Sequence, residues 1–126
     1  MQGASELSEI QARLERFRDE RDWAQFHGPA NLAKAISVEA AELLELFLWV
    51  SGGGEETVLR ERRAAVEAEL ADVIIQCLNF ASVTRIDVVD AVRRKIDANA
   101  EKYPVAEWKG RAGKAAGFEE GAGGVG

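Results

Sequence analysis

Apolar residues recur at helical spacing along three long stretches of this chain, and its glycines and prolines gather in the gaps between them. Leu7, Ile10, Leu14 and Phe17 stand three or four positions apart, the repeat that lays side chains along one helix face. This predicts a helix over about 6–25, with Ser5 as N-cap, ending before "FHGPAN". A second helix is predicted over about 31–50, stopped by "SGGGEE". The next stretch, roughly 59–99, is too long for one globular helix, and "TRID" at 84–87 marks the break. Helices over about 59–83 and 87–102 follow, the last restarted by Asp87 and Asp90. Hairpin signals are absent. Four helices on short links imply an all-α, four-helix bundle over residues 1–104. Beyond Pro104, "GRAGKAAGFEEGAGGVG" has too few large apolar groups to pack, so 105–126 are expected to form a flexible Gly-rich tail, with Trp108 outside the functional part.

Carboxylates interrupt the greasiest of these faces. With Glu39 at zero and about 100° per residue, Leu32, Ala35, Ile36, Leu43, Leu46 and Val50 all fall within about 60° of it. Glu42 lies at the edge of that stripe, and Glu45 swings toward the surface. On the third helix Glu69 is centred among Val66, Val73, Gln76, Phe80 and Val83, with Asp72 on the flank. Two helices thus carry the same device, E-x-x-E and E-x-x-D, turned toward the core. Ionised carboxylates in an apolar setting are costly, and four together repel one another. Neither stripe holds a basic residue at its centre; Arg62 is the nearest. A divalent cation resolves the conflict better, and oxygen-only ligands suit Mg²⁺, with Mn²⁺ as substitute. A di-iron carboxylate bundle would need Glu-x-x-His pairs, and the one histidine, His27, sits in a predicted loop.

Composition narrows the partners. The chain has 126 residues, 47% of them hydrophobic and 30% charged, ordinary for one soluble domain. A net charge of −6 argues against nucleic acid as a partner, since phosphate neutralisation relies on Lys and Arg. One cysteine, Cys77, cannot staple the fold, which points to a reducing cytoplasm. Neither a signal peptide nor an apolar run long enough to cross a membrane is evident.

On the fourth helix Val89, Val92, Ile96, Asn99 and Tyr103 share a face, with Lys95 beside it. The third helix is apolar nearly all round: Ile74, Ile75 and Leu78 face away from the Glu69 stripe, as Leu44 does on the second. Such a helix is buried on both sides, which a small subunit cannot achieve alone, so a homo-oligomer is expected.

The stretches "ERDWAQFHGPANLAKAISVEAAELLELFLW", "EAELADVI" and "RKIDANAEKYP" together resemble the MazG-like nucleoside triphosphate pyrophosphohydrolases, with the dCTP-cleaving branch looking nearest. The resemblance runs from about Phe17 to Pro104. It implies an all-α fold in which Glu39, Glu42, Glu69 and Asp72 bind Mg²⁺. The ion grips a triphosphate, and water releases pyrophosphate to leave a nucleoside monophosphate. These are the four acids that the helical wheel singles out. Glu42, with Glu39, is the expected acceptor of the water's proton. The resemblance further makes Lys95 and Asn99 ligands of phosphate or sugar, lets Tyr103 touch the ligand, and sets Trp23 and Trp49 on either side of the base near His27. It also implies a tetramer built as a dimer of dimers. Two positions depart from the family: Gln76 stands where an aromatic is usual, and Leu14 where a histidine is. Gln76 is therefore expected to hydrogen-bond a base edge or sugar. The function expected is hydrolysis of dCTP or a modified dCTP in nucleotide-pool sanitation. The alternatives are dUTP or broad triphosphate specificity, or a non-catalytic helical module.

Overall fold

The computed structural model describes residues 2–50 and 52–113, with side chains from residue 6 onward. Six α-helices and one 3-10 turn form among them, and no strand: α1 (Gln2–Glu20), η1 (Ala24–Phe26), α2 (Pro29–Glu45), α3 (Gly54–Glu61), α4 (Arg63–Thr84), α5 (Val88–Lys102) and α6 (Val105–Trp108). No helix among the described residues is long and apolar enough to cross a membrane. The chain divides into two compact units, Met1–Asp87 and Val88–Gly126.

The first unit is organised around α4, which packs on α2, α1 and α3. Leu32 of α2 and Leu78 and Ala81 of α4 are the fully buried apolar residues among those described, at 2%, 6% and 4% exposure. Leu78 thus faces inward within its own unit, whereas the helical wheel pointed it outward. Ile74 and Leu70 on α4 and Leu44 on α2 stay about half exposed, as expected of an outer face.

The helix ends differ from expectation in ways that place the site. α1 already runs from Gln2, so Ser5 lies inside it rather than capping it. It stops at Glu20, five residues early, because Asp22 turns left-handed at φ 53°. Trp23 N–H then donates to Arg18 O at 3.0 Å and Asp22 N–H to Asp19 O at 3.1 Å, the Schellman pattern that satisfies the last carbonyls. Aspartate tolerates this conformation better than most residues. The accompanying apolar contact is Phe17 edge-on to Trp23, centroids 5.7 Å apart.

Pro29 opens α2 at a position where its missing N–H costs nothing. α2 ends at Glu45 rather than Val50: Leu46, Phe47 and Leu48 donate three residues back, to Leu43, Leu44 and Glu45. This tightening leaves Trp49 outside the helix expected over 31–50, at 92% exposure. The turn then passes under Val50, whose Cγ1 would lie 2.8 Å from a Cβ on Gly54. The stretch expected as one helix over 59–83 is two, since Arg62 at φ −122°, ψ 29° separates α3 from α4. The break expected at 84–87 is present. Arg85 turns left-handed at φ 57°, with Ile86 N–H donating to Ala81 O and Arg85 N–H to Ser82 O.

In the second unit α5 carries an Arg94–Asp90 ion pair at 2.8 Å. Tyr103 N–H donates to Asn99 O at 2.8 Å, and Trp108 of α6 packs edge-on against Tyr103 with centroids 4.9 Å apart. Helical structure therefore continues past the boundary expected at 104; residues 114–126 of the expected tail lie outside the described residues.

Arg85 occupies a position that suits glycine, because a left-handed conformation costs a residue with a Cβ about 1–2 kcal/mol. Arg85→Gly is expected to raise the unfolding free energy by about 0.5–1 kcal/mol in urea titration, net of glycine's larger chain entropy. A loss of stability would show that the guanidinium contributes more than the strain costs.

Candidate active site

Packing of α2 on α4 brings the two acidic motifs together. One carboxylate oxygen each from Glu39, Glu69 and Asp72 lies within 4.8 Å of the others, close enough for a single ion to touch all three. Glu39 and Glu69 are half-buried, and the Oε2 atom of each is shut away from solvent without a hydrogen-bond partner. Glu42, one turn after Glu39, is exposed and lies near enough to Glu39 and Glu69 to raise the proton affinity of both. Among the described residues no Lys or Arg, Arg62 included, forms an ion pair with any of these four acids.

The electrostatic cost appears as raised proton affinity. Desolvation pushes the Glu39 pKa above its ordinary value, followed by the hydrogen bond to Glu42 and repulsion from Glu42, Asp72 and Glu69. Glu69 is raised in the same way, first by desolvation, then by Glu42, with Asp72 and Glu45 adding repulsion. Glu45 is thus exposed, as its wheel position indicated, yet near enough for its charge to be felt. Orphaned oxygens, convergent geometry and an all-oxygen donor set together fit a hard divalent cation.

Asp72 also opens onto a cavity of about 340 Å³ that belongs wholly to the first unit. Its apolar walls are Leu14 and Phe17 of α1, Ile75 of α4, and Trp23 from the Schellman turn. Its polar groups are Arg18, His27, Gln76 and Asn79. A cavity of this size and character suits a small ligand with one flat apolar part. His27 has its pKa lowered, by burial first and then by the Arg18 guanidinium, so the ring is held neutral near pH 7. Its Nδ1 is buried without a partner. Asn79 Nδ2 donates to Gln76 Oε1 at 3.4 Å.

Of the residues singled out from sequence, the structure therefore gathers Glu39, Glu42, Glu69 and Asp72, and joins Trp23, His27 and Gln76 to them through the cavity. Trp49 does not line it. Lys95 and Asn99 are exposed on α5 and Tyr103 follows that helix, all within the second unit. Sequence reasoning missed Arg18 and Asn79. Their signals were present: Arg18 follows Leu14 by four positions, and Asn79 follows Gln76 by three on the face that carries Asp72.

Comparison with known proteins agrees with this geometry. Residues 34–116 match the model of the MazG-like family. dCTP pyrophosphatase 1 of Rattus norvegicus is 40% identical over 110 residues, covering 86% of this chain and 65% of that protein. Its Homo sapiens counterpart is 41% identical over 100 residues, covering 78% and 59%. The chain thus spans about 65% or less of the length of these curated relatives. The crystal structure of a pyrophosphatase from Archaeoglobus fulgidus superposes with a TM-score of 0.75 at 45% identity, over 79% of this chain and 93% of that one. With the matched segment holding both acidic motifs, most of α2 and all of α4, the chain belongs to the MazG-like family.

Proposed function

We propose that this protein hydrolyses a (deoxy)nucleoside triphosphate, dCTP or a modified dCTP, to the monophosphate and pyrophosphate, and serves nucleotide-pool sanitation in the cytoplasm. The observation that carries this reading is Asp72, which belongs at once to the acidic cluster and to the aromatic-walled cavity. A nucleotide needs those two surroundings side by side, an ion-binding end for phosphates and an apolar slot for the base. The names of the relatives supply the chemistry and the base.

Glu39, Glu69 and Asp72, with Glu42 beside them, would hold Mg²⁺ (or Mn²⁺), which supplies neutralising charge for phosphate oxygens. Glu42 is exposed to water beside two carboxylates of raised proton affinity, which makes it our choice of acid to accept a proton from attacking water. Water adds across one phosphoanhydride: a P–O bond forms, the bridging P–O bond breaks, and pyrophosphate leaves. Trp23 gives the base a stacking face, and Trp49, whose indole has few contacts of its own, gives a second. Lys95, Asn99 and Tyr103 keep the phosphate, sugar and ligand contacts that the resemblance assigns. The half-exposed Leu44, Leu70 and Ile74 support a homo-oligomer, with a tetramer as the expected form. Gln76 and Leu14, where the family carries an aromatic and a histidine, are the specific ground for the alternative that the preferred base is not cytosine.

Release of pyrophosphate from a panel of triphosphates with Mg²⁺ tests the reaction, and silence on every nucleotide would leave a binding module. Glu39→Gln and Glu69→Gln are each expected to lower kcat by roughly 100-fold, because each removes a charged ligand from the ion. The same variants, metal-free, should melt at or above the wild-type temperature and lose most of the rise in Tm that Mg²⁺ gives wild type. Lower metal-free stability would mean that the acids hold the fold together.

The pH dependence has a definite sign. Folded pKa values above the ordinary 4.5 mean that ionised Glu39 and Glu69 oppose folding. That cost is full above the folded values and vanishes as pH falls through them toward 4.5. Relative to a Glu39→Gln/Glu69→Gln double variant, metal-free wild type should therefore gain stability as pH falls from neutral toward 4.5, while Mg²⁺ protection shrinks. Melting curves across that interval decide it; an opposite slope would contradict the raised values.

A further inference from the structure

Asp72, Gln76 and Asn79 sit at i, i+4 and i+7 on α4 and all line the same cavity. At about 1.5 Å per residue, Asn79 lies roughly 10 Å along the helix axis from Asp72. If the acidic end takes cation and phosphates, the Asn79 end takes the base; the inference rests on the proposed function to that extent. The same cavity is walled by the flat apolar rings of Phe17 and Trp23.

The one bond between the two amides fixes what this end presents. Asn79 Nδ2 donates to Gln76 Oε1, which leaves Gln76 Nε2 as donor and Asn79 Oδ1 as acceptor. The inverse arrangement would leave the Gln76 oxygen unbonded, one helical turn from the Asp72 carboxylate. Electrostatics therefore favours the polarity observed. An acceptor that a bound ligand shuts off from water without a match is penalised by its full desolvation, so such a site rejects a ligand that offers it another acceptor.

We propose that Asn79, oriented by Gln76, is a specificity determinant that selects a pyrimidine bearing an exocyclic amino group over one bearing a keto oxygen. The 4-amino group of cytosine donates to Asn79 Oδ1, whereas O4 of uracil or thymine sets oxygen against oxygen. Gln76 acts as a positioning residue toward Asn79 and offers Nε2 to the ring nitrogen. Neither residue bonds to the cation.

The test is binding of dCMP and dUMP to the full chain in EDTA, followed by Trp fluorescence at up to millimolar nucleotide, so that neither metal nor turnover enters. Wild type is expected to bind dCMP about tenfold more tightly than dUMP. Asn79→Leu should bring the ratio below about threefold by weakening dCMP. Gln76→Leu should also lower the ratio yet leave the Mg²⁺-induced rise in Tm unchanged, and it reads the same effect should Asn79→Leu not fold. Equal binding by wild type, binding of neither nucleotide, or an unchanged ratio in the folded Asn79→Leu or Gln76→Leu protein overturns the proposal. A triphosphate panel without turnover, beside an intact binding ratio, would instead refute hydrolysis alone.

Discussion

Repulsion between carboxylates on two packed helices is the constraint to which the rest of this molecule answers. α2 and α4 could have met through aliphatic side chains alone; instead Glu39 and Glu69 meet there, each with an oxygen buried and unpartnered. No arginine or lysine among the described residues offsets them. An interface that opposes its own closure is useful only if something of opposite charge is meant to enter it. Rigid helices suit that purpose, since a small hard ion needs ligands held at fixed separation. The raised proton affinity of the two glutamates is the same fact seen from the proton's side: in the absence of a cation, hydrogen ions are the nearest substitute.

What lies around the cluster is arranged by helix ends. The early stop of α1 at a left-handed Asp22 folds Trp23 back onto Phe17, and that fold-back makes the apolar wall of the cavity. The 3-10 turn and the proline start of α2 then carry His27 to the same cavity, where burial and then the Arg18 guanidinium lower its pKa. A neutral imidazole beside Arg18 can accept as well as donate, so this wall is not a second cationic site but a polar surface of mixed character.

The acids were legible in the sequence because helical periodicity is a strong signal: Glu39 and Glu69 each fall inside an apolar stripe that no surface residue would share. All-helical architecture was legible for the same reason, and so was the break at 84–87, where polar and acidic residues interrupt the pattern. The junctions were not. Asp22 and Arg85 take conformations that glycine usually marks, so neither announces a helix end. Trp49 was misplaced because the last turn of α2 tightens to three-residue spacing, which rotates every later side chain off the wheel. Arg62 interrupts a periodic run with no proline or glycine to flag it. The Gln76–Asn79 bond was invisible for a different reason: a wheel shows which residues share a face, not which of two amides donates.

The small interior follows from the same constraint. Leu32, Leu78 and Ala81 are the fully buried apolar residues among those described, and the interface that might have added more carries charge instead. Stability given up there must be recovered from what binds, since any species that binds the folded form alone raises its stability by mass action. A cation would do so by neutralising Glu39, Glu69 and Asp72, and a second copy would do so by covering Leu44, Leu70 and Ile74. α4 carries both kinds of residue, Glu69 and Asp72 toward the cluster, Leu70 and Ile74 toward solvent. Occupation of the acidic site and cover of the outer face would therefore stabilise one helix, and each would let the other's partner bind to a more populated folded state.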